Sequence, residues 1–73
     1  MTGVTVERAS VISEFAGIAD DFAARAQKQE TCRDRARPGT GVHHVHAHSA
    51  TLWRLAESSL RVRIQELESD SAM

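Results

Sequence analysis

The sequence predicts an all-α protein, an antiparallel two-helix hairpin that dimerises into a four-helix bundle. Three observations lead there. Apolar residues recur at helical spacing on both sides of a single break. The break holds the only proline of the chain, followed at once by a glycine. The apolar arcs of both segments are also wider than one helix–helix seam can bury.

The first helix is expected over about residues 6–36. Thr5 suits an N-cap, and Glu7 lies in the first turn, where the helix dipole favours a carboxylate. Val11, Phe15, Ile18 and Phe22 follow one another at spacings of four, three and four, and Ala26 comes four further on. A flatter stripe of Ile12, Ala16, Ala19 and Ala23 runs beside them, small enough for another helix to approach closely. Gly17 interrupts the helix at a cost of about 1 kcal/mol relative to alanine. Beyond Arg25 the composition turns polar and rich in arginine, which suits a helix C-terminus.

The turn is expected at about residues 37–41, with a histidine-rich stretch continuing to residue 48. Pro38 pushes Arg37 out of the α region, and Gly39 can take a positive φ. The second helix is expected over about 42–68, with Leu52, Trp53, Leu55, Ala56, Leu60, Ile64 and Leu67 on its apolar face and a frayed tail over 69–73. Its start has two solutions. Thr40 caps a helix that takes in the histidines, or Ser49 caps a shorter one behind a loop. The early start is preferred, because a loop of about ten residues exceeds the usual 2–8 between helices.

Folding the two segments back on each other puts Phe22 opposite Ala56, Ile18 opposite Leu60, Phe15 opposite Ile64 and Val11 opposite Leu67. Apolar meets apolar throughout. This register leaves Ile12, Ala16, Ala19 and Ala23 outside the seam, with Leu55 and Val62 on the second helix and Trp53 as an aromatic anchor. These seven residues form the expected interaction surface, covered by a second copy or by another protein.

Composition narrows the function classes. A chain of 73 residues is one small domain whose core needs help from a partner or a metal. Cys32 is the only cysteine, so no disulfide forms within the chain, and the setting is read as reducing and cytoplasmic. No secretory leader and no apolar run of membrane-spanning length are seen. The net charge of −1 gives no bulk footprint for nucleic acid or an anionic membrane.

Catalysis is not expected. Gly39-Thr-Gly41 lacks the lysine and spacing of a phosphate loop, and neither Cys-x-x-Cys nor His-Glu-x-x-His occurs. No cofactor is called for. The histidines offer one metal reading. On a helix, His44 and His48 share a face and suit zinc or nickel; in an extended loop, His44, His46 and His48 would align instead. Cys32, Asp34 or a second subunit would have to complete such a site. Nucleic-acid binding rests on a basic hairpin tip of Arg33, Arg35, Arg37 and Arg54, against which stand the interleaved Glu30 and Asp34.

The run Arg35-Ala-Arg-Pro-Gly-Thr-Gly41, then Ala50-Thr-Leu-Trp-Arg-Leu-Ala-Glu57 and Leu60, resembles the short helical proteins of actinobacteria and their phages. The likeness is one of composition and style across most of the chain, with no diagnostic motif. It implies binding to a host protein or self-assembly and assigns no active-site residue. The expected function is a small non-enzymatic protein-interaction module. The alternatives are a nucleic-acid-binding regulator that uses the basic tip and a metal-binding protein that uses the histidines.

Overall fold

The computed structural model describes the backbone of residues 2–72 and the side chains of residues 7–70. Two helices account for almost all of it, α1 (Thr2–Arg35) and α2 (Gly41–Ala72). They pack antiparallel as a long hairpin, 57 × 16 × 12 Å in extent. Both run further than the sequence predicts. α1 begins at Thr2, ahead of the expected cap at Thr5, whose side chain lies outside the described residues. α2 continues to Ala72, past the expected fraying point; the side chains of residues 71–73 also lie outside the described residues.

The turn follows from three adjacent residues. Ala36 N–H donates to the carbonyls of both Cys32 and Arg33 at 3.1 Å, which closes α1. Thr40 N–H then donates to Arg37 O at 3.2 Å across Pro38 and Gly39. Gly39 has φ 85°, so this is a type II turn with proline and glycine at the positions that demand them. Thr40 is the N-cap of α2. Its hydroxyl accepts from His43 N–H at 3.3 Å and donates to Arg37 O at 2.6 Å, while its carbonyl accepts from His44 N–H at 3.1 Å. The histidine stretch is therefore helical and not a loop.

The seam has a continuous 3–4 spacing on both helices. Along α1 one row of buried and half-buried positions runs Ile12, Phe15, Ala19, Phe22, Ala26, Gln29 and Arg33, and Ala36 just past the helix end continues it. Along α2 such a row runs His43, His46, Ala50, Trp53, Glu57, Leu60, Ile64 and Leu67. This is the pattern of an antiparallel coiled coil. Among the described residues only Ala19, Ala26, Ala50 and Ile64 are buried, so the hairpin's own core is thin.

Two cross-helix contacts fix the register. Phe22 meets Trp53, with ring centroids 5.4 Å apart and planes tilted by 49°. His46 Nδ1 pairs with Gln29 Oε1 at 2.7 Å. Ala26 and Ala50, both buried, fall between these two pairs in the register. The register differs from the expected one, in which Phe22 faced Ala56. Val11 and Ile18, placed in the seam by sequence, are exposed beside it, and Ile12 and Ala19 take their places. Phe15, Phe22 and Ala26 belong to both solutions. The tight Pro38–Gly39 turn and the three small residues Ala19, Ala26 and Ala50 favour the observed one.

Candidate interaction surface on the second helix

α2 has a second stripe, on the side away from α1. Val45, Leu52, Leu55 and Val62 recur there at spacings of seven, three and seven, with His48 filling the step between Val45 and Leu52 and Ser59 the step between Leu55 and Val62. All four are exposed, Val45 by 64%, Leu55 by 60%, and Leu52 and Val62 by 53% each. The stripe is about 25 Å long at 1.5 Å per residue. Val42, also exposed, lies near its N-terminal end.

The charges of α2 are held elsewhere. Between Val42 and Val62 the sequence has three charged residues, Arg54, Glu57 and Arg61. All three belong to a network along one edge of the seam. Arg54 grips Glu30 of α1 with two hydrogen bonds, Nη2 to Oε1 at 2.8 Å and Nε to Oε2 at 3.0 Å. It also donates to Glu57 at 3.0 Å. Arg61 donates to the other oxygen of Glu57 at 2.8 Å and reaches Asp20 of α1 at 3.2 Å. Arg54 holds the Glu30 carboxyl below its ordinary value, and Arg61 with Arg54 does the same to Glu57. In return Glu30 and Glu57 raise Arg54, while Glu57 and Asp20 raise Arg61. The network pins the two helices together and leaves the outer stripe without a fixed charge.

The seven residues expected at the interaction surface fall into three groups. Ile12, Ala19 and Trp53 occupy the seam, and Ala19 is completely buried. Ala16 and Ala23 are half-buried at its edge. Leu55 and Val62 lie on the outer stripe. Trp53 is held between Phe22 and Arg25, whose guanidinium carbon lies 5.2 Å from the ring centroid. Sequence reasoning missed Val42, Val45 and Leu52 as surface residues. Their signal was the absence of Asp, Glu, Lys and Arg from one side of α2 between Val42 and Val62.

Of the expected basic tip, Arg33 and Arg54 line one shallow cleft across the seam with Glu30 between them in its lining. Arg54 is engaged by Glu30 and Glu57, and Arg33 donates to Asp34 at 2.9 Å. Arg35 and Arg37 are exposed. The histidines separate into two pairs, His43 and His46 half-buried at the seam, His44 and His48 exposed. Cys32 is a half-buried free thiol. Among the described residues no helix is long and apolar enough to cross a membrane. Comparison with protein-family models, with curated proteins and with solved structures found no match to this chain.

Proposed function

We propose that this chain is a small non-enzymatic interaction module that self-associates through the outer face of α2. The observation that carries the reading is the stripe of Val45, Leu52, Leu55 and Val62, exposed along about 25 Å of a face with no fixed charge. A second copy is the occupant with matching chemistry. It presents the same uncharged, apolar stripe, so a two-fold arrangement buries both and strands no ion. The thin core adds to the argument, since three alanines and one isoleucine are little burial for two long helices, and a dimer seam supplements it. The product is a four-helix bundle with α2 and its copy at the centre.

Light scattering across a concentration series tests the reading. The wild type is expected at dimer mass. The L52E/L55E double variant is expected at monomer mass with its helical circular dichroism retained, because neither side chain contributes to the hairpin seam. A wild type that stays monomeric at high micromolar concentration, or a double variant that still dimerises, overturns it.

A further inference from the structure

We infer that His44 and His48 form a two-imidazole clamp for a divalent transition-metal ion of the copper, nickel and zinc class, on the outside of α2. The inference does not require the self-association reading, but His48, three residues after Val45 and four before Leu52, lies on the same stripe, so light scattering in the same titration separates metal binding from a change of mass. Four histidines lie within residues 43–48, and the helix sorts them. His43 and His46 take seam positions, and His46 is committed across the seam to Gln29. His44 and His48 remain one helical turn apart, both exposed. Neither ring has a hydrogen-bond or ion-pair partner among the described residues.

The geometry follows from the helix. Residues four apart have Cβ atoms about 5–6 Å from one another, a gap that two imidazoles close around one ion with metal–nitrogen bonds of about 2.0–2.1 Å. The Thr40 cap holds the preceding turn helical, and Thr51, one turn beyond, bonds back to Ala47 O at 3.0 Å, so the spacing is set before any ion arrives. The described residues include no group of three or more His, Cys, Asp or Glu placed to hold an ion. The chain thus supplies two ligands, and water or another molecule completes the shell. One effect opposes binding. The clamp lies near the N-terminus of α2, where the dipole disfavours a cation, but that effect fades beyond the first turn while the coordinate bonds act directly on the ion. Copper should bind more tightly than zinc at two nitrogen ligands. Because the ion ties adjacent turns of the folded helix, it stabilises the fold by linkage.

Calorimetric titration of the full, tag-free chain with copper(II) and zinc(II) chloride, paired with thermal melts, tests the clamp. Both ions are expected to bind, copper more tightly, and to raise the melting temperature. His44→Ala and His48→Ala should each weaken binding by about tenfold or more and remove the thermal shift, without loss of helicity, since both rings are exposed. His46→Gln, checked for helicity because it alters a seam residue, should keep the site. No heat and no thermal shift at millimolar metal, or binding that survives His44→Ala and His48→Ala, overturns the inference.

Discussion

The two helices share a seam but present different exteriors. Away from the seam, α1 shows water Glu14, Asp21, Lys28, Asp34 and Arg35, the ordinary solvated face of a surface helix. On its outer side, α2 shows Val45, Leu52, Leu55 and Val62, and its three charged residues between Val42 and Val62 are gathered at the seam edge. One helix is finished by the hairpin and the other is not. The asymmetry teaches more than the total exposed apolar area would, because scattered apolar residues are normal on any surface. A charge-free side confined to one helix needs a partner or bears the cost of hydration.

The sharpest way to break this division is to truncate one large side chain from each side of α2. Trp53→Ala removes the ring that packs on Phe22 and under Arg25, and should destabilise the hairpin by about 2–3 kcal/mol. Leu55→Ala, on the outer stripe, should change the stability of the dilute chain by less than about 0.5 kcal/mol. Urea unfolding at low concentration measures both. Equal costs would mean that the seam and the outer stripe are not distinct.

A smaller effect is expected on the solvated side of α1. Gly17 is exposed, and a Cβ built on it meets nothing within 4 Å. Gly17→Ala should therefore stabilise the chain by about 0.5–1 kcal/mol through helix propensity alone. A thermal melt that moves downward would show that the glycine serves a close approach by something else.

The smallest effect should come from the charge network, because Arg54, Arg61 and Asp20 are exposed and Glu30 and Glu57 only half-buried, so solvent and salt screen it. Glu30 and Glu57 are held below their ordinary value of 4.5 in the folded chain, so between that value and their folded values the unfolded chain binds more protons. Their contribution is present above about pH 4.5 and is lost as the pH falls through the folded values. The melting temperature should decline below that point, and more gently in Glu57→Gln, whose baseline is lower. Added salt should flatten the difference. An identical acid profile for the two proteins would remove the network from any account of what joins the helices.

Much of this architecture is readable along the chain. The turn is local chemistry. Pro38 fixes its own φ, Gly39 takes the positive φ of a type II turn, and the Thr40 hydroxyl reaches His43 N–H three residues on. No distant residue is needed, so Pro-Gly-Thr predicts both the break and the start of α2 ahead of the histidines. The helical period of the flanking segments is local in the same sense. The register was less legible. Val11 and Ile12, like Ile18 and Ala19, are adjacent residues on adjacent faces, and periodicity alone accepts either pair. The choice depends on how closely two backbones approach, which Ala19, Ala26 and Ala50 decide together.

The candidate surface follows the same rule. Sequence reasoning found Leu55 and Val62 but credited Ile12, Ala19 and Trp53 to the exterior, because its register had left them without a partner. Nor does anything in the order of residues reveal that Glu30, far away in sequence, lies against Arg54. By itself the sequence determined two helices, the hinge between them and the direction in which the chain returns, because each rests on interactions within a few residues. Only the tertiary structure decided which stripes are used up in the seam, which arginines are neutralised, and which side of α2 remains uncovered. Those are properties of pairs brought together from opposite ends of the chain, and their energies depend on contact distance, which a sequence does not contain.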